Sequence, residues 1–122
     1  DSSKAVYQGK IFVNANAQKT DGYQLSKAIL LNKDSEFNAK PELEIYADDV
    51  KCTHGATVGQ MDQVALHYLM ARGIPRELAT SMLVLAFCNE VLEKIDHKPL
   101  REKSTRRVLD RLPSGSLLLE NV

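Results

Sequence analysis

The chain has 122 residues, and its 16 basic and 16 acidic side chains give a formal net charge of zero. This length suits one domain with a modest core, and the balanced charge gives no global electrostatic argument for binding nucleic acid or a membrane surface. No apolar run is long enough to indicate a transmembrane helix, and no charged and then apolar leader indicates a signal peptide.

Short apolar clusters separated by turn residues occupy residues 6–59 and predict a strand-rich first half. Because the sequence enters this pattern almost directly from Asp1, we interpret the chain as a piece of a longer protein. Two architectures stay open, a small β-sandwich or coils of a β-solenoid, and the Asn and Asp residues at the corners favour the solenoid. The clusters are Val6-Tyr7, Lys10–Asn14, Lys27–Leu31, Leu43–Tyr46 and Val50–Cys52.

The cluster after Pro41 alternates between apolar and polar side chains. Pro41 is expected at the entrance of this strand, where its missing N–H costs least. The two faces of the strand then carry Leu43 and Ile45 on one side, and Glu42, Glu44 and Tyr46 on the other. We therefore expect one face to be buried in the core and the other to be exposed to solvent or to contact a partner.

The second half of the chain predicts helices. A first helix begins at 59–62 with Asp62 in its first turn, and Gly73 is a natural residue to end it. Pro75 fits the N1 position of a second helix, which continues to about Ile95. This second helix is apolar almost all round its middle, so it is expected to be buried inside the domain or by a partner.

A third helical segment, 99–112, is rich in Arg and Lys and carries a narrow apolar stripe. A helix docked on the rim of the domain explains this pattern. No aromatic residue interleaves the basic ones, so the charge indicates a solvated face and not a nucleic-acid site.

The two cysteines, Cys52 and Cys88, form one pair at most, which is too few for a disulfide framework. Cys88 lies in an apolar helical run, where a free thiol usually acts as a small hydrophobic side chain. A reducing compartment is therefore expected, either the cytoplasm or the stroma of a plastid or another organelle of bacterial origin.

Cys52 and His54 are an adjacent pair of soft metal ligands. At positions i and i+2 of a strand they would lie side by side on the same face. Thiolate and imidazole suit zinc or iron–sulfur, but such a site needs three or four ligands, and His67 and His97 form no spacing motif with the pair. A metal bound here would take its remaining ligands from another chain.

Two other interpretations of this pair stay open. One is a metal- or thiol-dependent enzyme that uses Cys52 and His54 within one chain, although no orienting Asn or Asp can be placed beside them. The other is a structural β-solenoid cap without a site, in which Cys52 contributes only to stability. Gly55 and Gly59 make no phosphate-binding loop, since no Gly-Lys-Ser/Thr follows, so the chain itself is not expected to bind ATP.

The string KPELEIYADDVKCTHGATVG at 40–59 closely resembles the SufB/SufD family of the SUF iron–sulfur cluster assembly system, and its SufD branch in particular. Three flanking segments agree with this resemblance: AQKT at 17–20, ALHYLMARGI at 65–74 and AFCNEV at 86–91. The resemblance covers roughly residues 5–96 and weakens in the basic segment and the tail.

The resemblance implies an α+β fold, the end of a right-handed parallel β-helix followed by a C-terminal helical domain. We therefore predict that residues 1–59 are the last coils of the β-helix and that residues 60–122 are the helical domain. It also implies a scaffold subunit and not an enzyme. Such a subunit pairs with a SufB-type paralogue through the β-helix and with the SufC-type ATPase through the helical domain.

The resemblance places Cys52 and His54 at the interface of the two paralogues and implicates them in cluster assembly. No cofactor is then bound stably by this chain alone, and an iron–sulfur cluster or iron is held transiently at the subunit interface. Contacts with the ATPase are expected from seven residues of the first two helices: Met61, Leu66, Tyr68, Leu69, Met82, Leu85 and Phe87.

Self-association is a further expectation. Strands at the N-terminal end of the chain would present unpaired backbone groups, so we expect the isolated chain to dimerise through strand edges. Neither nucleic acid nor a membrane is expected as a partner.

Overall fold

The computed structural model describes residues 2–119 and contains four strands followed by four helices. The strands are β1 (Lys4–Val13), β2 (Asp21–Leu30), β3 (Glu36–Ile45) and β4 (Lys51–Gln60). The helices are α1 (Gln63–Ala71), α2 (Arg76–Leu92), α3 (Lys98–Leu109) and α4 (Gly115–Leu119). The chain divides into two compact units, Asp1–Gln60 and Met61–Val122, which we name the strand unit and the helical unit.

The strands pair two by two into parallel sheets, β1 with β3 and β2 with β4, and neither sheet has a third strand among residues 2–119. The first sheet runs from Lys4 opposite Glu36 to Val13 opposite Ile45. The second runs from Asp21 opposite Lys51 to Leu30 opposite Gln60. Successive strands therefore alternate between the two sheets, and each parallel connection passes through a strand of the other sheet.

The expected parallel β-helix is wrong for this structure, which is a small α+β fold with two two-stranded sheets. A β-helix needs sheets that gain a strand from every successive coil, whereas each ladder formed by residues 2–119 contains a single pair of strands. Turns do form at two of the predicted corners, where Ala17 N donates to Asn14 O and Ser35 N donates to Asn32 O. Such corners restrict only the local direction of the chain, so they did not determine how many strands share a ladder.

All four strands have ten residues and are longer than the apolar clusters that predicted them. Polar residues at alternate positions continue the pairing beyond each cluster. Pro41 consequently lies inside β3, opposite Gly9, and not at the strand entrance. Within residues 2–119, β3 has a partner strand on one edge only, and a strand tolerates proline at such an edge.

β4 continues through Gly59 and Gln60, so the predicted helix start at 59–62 is wrong by several residues. β-Branched residues near the end of this segment, such as Val58, favour extended backbone and explain the longer strand. Asp62 is the N-cap of α1, and its carboxylate accepts hydrogen bonds from the backbone N–H groups of Val64 and Ala65, at 2.8 and 3.1 Å.

The end of α1 at Gly73 is confirmed, since this residue has a φ of +84°. The N–H of Gly73 donates to Met70 O at 3.0 Å, and the N–H of Ile74 donates to Leu69 O at 3.3 Å. These two bonds form a Schellman motif, which places the residue after the C-cap in the left-handed region and so favours glycine.

The later helices differ from their predicted bounds by a few residues. Pro75 is the N-cap of α2 and not its first helical residue, and α2 ends at Leu92 and not near Ile95. α3 starts after His97, whose Nδ1 accepts from the N–H of Leu100 at 3.3 Å. No sequence pattern predicted α4.

The helical unit is held together by a small set of buried residues: Leu66, Ala79, Ser81, Leu92, Thr105 and Leu109. Gly115 brings α4 against the end of α3, because a Cβ at this position would collide with the Leu109 carbonyl group. α2 is not wholly internal: the apolar residues of its middle are mostly half-buried, and Val91 is 67% exposed. Between residues 2 and 119, no helix has the length and apolar character that crossing a membrane requires.

Candidate functional site

Cys52 and His54 lie near the start of β4. Parallel pairing places Cys52 opposite Gly22 and His54 opposite Gln24 of β2. Because side chains alternate along a strand, these four positions share one face of the sheet. We name it the inner face, since it is the face turned toward β1.

Gly22 shapes the surroundings of the Cys52 thiol. A Cβ built on Gly22 would lie 3.5 Å from Cys52 Sγ and 3.6 Å from Ile11 Cγ2 of β1. The sulfur atom therefore lies close to the space between the second sheet and β1. Cys52 is a free thiol and is half-buried, so its sulfur is partly shielded from water.

His54 is exposed, so its imidazole is accessible to a partner. Residues 2–119 contain no group of three or more His, Cys, Asp or Glu side chains that could hold a metal ion. The structure therefore brings Cys52 and His54 to one face and adds no third ligand from these residues. Zinc sites and iron–sulfur clusters need more donors than two, so the pair is chemically part of a site.

The other Cys and His residues are engaged differently. His97 uses its Nδ1 to cap α3, and His67 is exposed on α1. Cys88 is half-buried on α2, and burial raises the pKa of its thiol. A raised pKa keeps sulfur in the neutral thiol form, which is a poor nucleophile and a poor metal ligand.

Two polar residues of the inner region were missed by the sequence patterns, Tyr7 of β1 and Gln24 of β2. Gln24 Nε2 donates to Tyr7 Oη at 2.9 Å. Gly9 makes room for this contact, because a Cβ there would collide with both side chains. Gln24 Oε1 is buried and has no hydrogen-bond partner. Gln24 lies opposite His54 because of the register in which β2 and β4 pair, and this register could not be predicted from the sequence.

The other face of the β1–β3 sheet carries charged and aromatic side chains. Glu44 accepts from Lys10 Nζ at 2.7 Å and from Tyr46 Oη at 2.8 Å. The bond from Lys10 lowers the pKa of Glu44, and the bonds to Glu44 raise the pKa of Lys10 and of Tyr46. The rings of Phe12 and Tyr46 lie 5.7 Å apart between centroids, and both are exposed. This face therefore presents two aromatic rings beside a charged network.

The residues predicted to contact a partner through the helical unit differ in accessibility. Leu66 is 3% exposed, so its side chain packs inside the unit, whereas Tyr68 is 56% exposed. The others are half-buried: Met61, Leu69, Met82, Leu85 and Phe87. Tyr68 is therefore the most accessible member of the predicted set.

The sequence pattern assigns Val64 to the apolar face of the first helix but not to the predicted partner contacts, and in the structure this side chain is 79% exposed. It lies one turn before Tyr68, and the guanidinium carbon of Arg72 lies 4.5 Å from the centre of the Tyr68 ring. Because residues four apart neighbour each other on a helix, Val64, Tyr68 and Arg72 form one stripe, which we name the α1 stripe. Tyr and Arg are enriched among the residues that contribute most to binding in protein interfaces.

Comparison with known proteins identifies related chains. Residues 1–87 match the family model described as SUF system FeS cluster assembly, SufBD core domain. The iron–sulfur cluster assembly protein SufD of Escherichia coli (strain K12) is 43% identical over 116 residues, which cover 95% of this chain and 27% of that protein.

Two further relatives are a chloroplastic protein and a second SufD protein. The chloroplastic protein ABCI7 of Arabidopsis thaliana is 40% identical over 88% of this chain and 22% of its own length. The iron–sulfur cluster assembly protein SufD of Bacillus subtilis (strain 168) is 34% identical over 78% of this chain and 22% of its own length. The chain thus spans about a quarter of the length of these relatives.

Proposed function

The chain belongs to the SufB/SufD family of the SUF system, and from this premise we propose that it is a scaffold subunit of a complex that assembles iron–sulfur clusters. It supplies ligands and docking surfaces and has no catalytic activity of its own. The family match at residues 1–87 supports this proposal, because it includes all four strands and therefore both Cys52 and His54.

The observation that carries the proposal is the incomplete pair of ligands on the inner face. Thiolate and imidazole are donors that iron and iron–sulfur clusters accept. His54 is exposed, Cys52 is half-buried, and residues 2–119 offer no third ligand beside them. A second chain therefore supplies the remaining ligands. The cluster or iron is cargo held transiently at the interface and not a resident cofactor.

The strand unit is proposed as the surface for a SufB-type paralogue. Cys52 and His54 belong to this unit, and within residues 2–119 every strand has one edge without a partner strand. Unpaired backbone groups at such edges can add a strand from another chain. Phe12 and Tyr46 add exposed aromatic area on the same unit. The same edges support the expectation that the isolated chain forms a homodimer.

The helical unit is proposed as the surface for a SufC-type ATPase. The α1 stripe offers an exposed apolar residue, an aromatic ring and a cation in one row, namely Val64, Tyr68 and Arg72. Leu66 contributes from the opposite side of α1, where its burial holds the helix in the unit. Docking of an ATPase here would couple nucleotide-driven movement to the subunit that carries the ligand pair.

The alternative is a metal- or thiol-dependent enzyme that uses Cys52 and His54 within one chain. Such an enzyme would hold stoichiometric metal, or react selectively at Cys52, without any partner. For either function, we propose that this chain is located in the cytoplasm or in a plastid stroma. The name of the chloroplastic relative from Arabidopsis thaliana supports the plastid stroma.

The test is cluster assembly by a complex reconstituted from this chain, the SufB-type paralogue and the SufC-type ATPase. In a Cys52→Ala/His54→Ala double variant we expect cluster assembly to fall by about tenfold or more, while binding of the ATPase persists with and without ATP. A Cys88→Ala variant is the matched control, since this thiol lies in the helical unit.

Normal cluster maturation by the double variant would refute the assignment of the site. Stoichiometric metal on the purified chain alone would instead favour the single-chain enzyme. Loss of ATPase binding in the double variant would show that the strand unit and not the helical unit contacts the ATPase.

A further inference from the structure

We infer that a groove between α2 and α3 is a docking site for an acidic amphipathic segment of a partner protein. The groove lies within the helical unit and has a volume of about 650 Å³. None of its lining residues belongs to the α1 stripe or to the pair of Cys52 and His54, so the inference goes beyond the proposed function. Six residues line the groove, one from α2, two from the last turn of α3 and three from the turn after it: Val84, Arg107, Val108, Asp110, Arg111 and Leu112.

The first observation is an apolar strip along the groove. Val84, Val108 and Leu112 are half-buried, so part of each side chain stays accessible in the groove. The N–H of Leu112 donates to Leu109 O at 3.0 Å and thereby continues the helical turn beyond α3. Val108 and Leu112 are therefore one turn apart on the same side of the helix.

The second observation is a pair of cations beside this strip. Arg107 and Arg111 are exposed and are also one turn apart, since the N–H of Arg111 donates to Val108 O at 3.0 Å. Neither guanidinium group forms an ion pair with a carboxylate of residues 2–119. This includes Asp110, whose side chain also lines the groove. Both cations are therefore available to a partner.

The position of these cations is not explained by the helix alone. Residues 98–111 contain six basic and two acidic side chains, a formal charge of +4 in a chain whose total charge is zero. Basic residues near the end of a helix interact favourably with its dipole, and Arg106 and Arg107 both occupy the last turn of α3. Arg106 satisfies the dipole without lining the groove. The apolar strip beside Arg107 and Arg111 is the feature that the dipole leaves unexplained.

The chemistry of the groove favours a protein segment over a free anion or a nucleic acid. A free anion would meet two exposed cations in water, where attraction between charges is weak and is screened by salt. A nucleic acid gains from aromatic side chains on which its bases stack, but none of the six lining residues is aromatic, and the Asp110 carboxylate repels phosphates. An acidic protein segment instead combines charge-assisted hydrogen bonds with burial of the apolar strip.

The spacing of the lining residues describes this segment. Arg107 and Arg111 form one row, and Val108 and Leu112 form the row beside it, each with a repeat of four residues. A helix with carboxylates at i and i+4 and with apolar residues along the neighbouring row presents the complementary pattern. Arginine suits this contact, because its planar guanidinium group binds a carboxylate through two hydrogen bonds. The occupant is therefore an amphipathic helix whose apolar face borders an acidic edge.

The experiment is a selection from a display library of random peptides, with the full chain as the target. We expect the selected peptides to carry Asp or Glu at positions four residues apart, next to a row of apolar residues. For a selected peptide, Arg107→Glu/Arg111→Glu should lower the affinity by about tenfold or more, measured by fluorescence titration. The same variant should select peptides with Lys or Arg at the two positions, because the charge of the groove is then reversed. Val84→Thr makes the strip more polar and should lower the affinity by about threefold.

The matched control is Lys103→Glu/Arg106→Glu, which makes the same change of charge on α3 at residues that line a different surface of the helix. It also removes a cation from the last turn, so both double variants alter the interaction with the helix dipole. The control should leave the affinity within about twofold, because charges outside the contact are screened by salt. Should the reversal at the groove disturb the fold, as judged from the backbone amide spectrum, Arg107→Gln/Arg111→Gln removes the charges and provides the same test.

Three results would overturn the inference. One is a set of selected peptides without paired acidic residues. Another is an equal loss of affinity in the two double variants, which would mean that the overall charge of α3 and not the groove attracts the peptide. The third comes from a labelled single-stranded oligonucleotide titrated in parallel: binding tighter than that of the peptide, and lost in Arg107→Glu/Arg111→Glu alone, would assign the groove to a nucleic acid. Each measurement uses this chain by itself, so its outcome is separate from that of the cluster assembly test.

Discussion

At the scale of single residues, two glycines leave space for the side chains of the inner face. The Cys52 thiol lies near Gly22, and the side chains of Tyr7 and Gln24 lie near Gly9. Gly22 stands opposite Cys52, and a Cβ there would make ordinary van der Waals contact with Sγ at 3.5 Å. Gly9 is different, because a Cβ there would occupy the space of Gln24 Nε2 and Tyr7 Oη. Gly9 is thus needed for the hydrogen bond that orients Gln24, whereas Gly22 only keeps the thiol uncrowded.

We predict that Gly9→Ala destabilises the chain by about 0.5–1.5 kcal/mol, because the added methyl group displaces the flexible ends of the Tyr7 and Gln24 side chains and breaks the hydrogen bond between them. The measurement is the urea midpoint of unfolding at constant slope. Gly59→Ala is the matched control, since nothing lies within 4 Å of a Cβ at that position. Equal losses in the two variants would mean that the close approach at Gly9 has no specific effect.

At the scale of elements, α1 depends on its ends. It has nine residues, and isolated helices of this length are unstable in water. Asp62 satisfies two backbone N–H groups at its start, and Gly73 completes the Schellman motif after its end. The buried Leu66 adds the packing that a short helix needs. These three residues together hold the α1 stripe in place.

Asp62→Ala is expected to destabilise the helical unit by about 1 kcal/mol, because it removes the acceptor for two backbone N–H groups and a negative charge from the positive end of the helix. Urea unfolding followed by helical circular dichroism measures this loss. The control is Asp110→Ala, because Asp110 lies at the C-terminal end of α3, whereas Asp62 lies at the N-terminal end of α1. An acidic residue at the C-terminal end opposes the helix dipole, so the control should be neutral or slightly stabilising. The prediction fails if both variants lose the same stability.

At the scale of the whole chain, the strand unit has unpaired strand edges, since every strand within residues 2–119 has a partner on one side only. Two-stranded sheets are marginal on their own, and each sheet here ends after one pair within the described residues. Unpaired strand edges are templates for pairing with another chain.

We predict that the isolated chain forms dimers through the strand unit, measured by sedimentation velocity across a concentration series. Val58→Lys places a charge on the exposed part of β4 and should weaken dimerisation by about tenfold, which corresponds to about 1.4 kcal/mol. Val91→Lys, at an exposed position of α2, is the matched control and should leave dimerisation unchanged. A monomer at high concentration would contradict the prediction, and dissociation by Val91→Lys alone would assign the contact to the helices.

Several features were determined by the sequence itself, because they depend on residues only a few positions apart. The spacing of Cys52 and His54 places both on one face of any strand. Gly73 ends α1 because a left-handed residue is needed after its C-cap. The motif at 40–59 indicated the family to which the chain belongs. Helix bounds were predicted to within a few residues for the same local reason.

Other features were decided only by the tertiary structure, because they depend on contacts between residues far apart in the sequence. Local turn chemistry could not show that each ladder within residues 2–119 has only two strands, so the β-helix was predicted wrongly. The periodicity of α1 could not distinguish the buried Leu66 from the exposed Val64. The register of β2 and β4 places Gln24 opposite His54, and register results from backbone pairing and side-chain packing across the sheet, which no local pattern encodes.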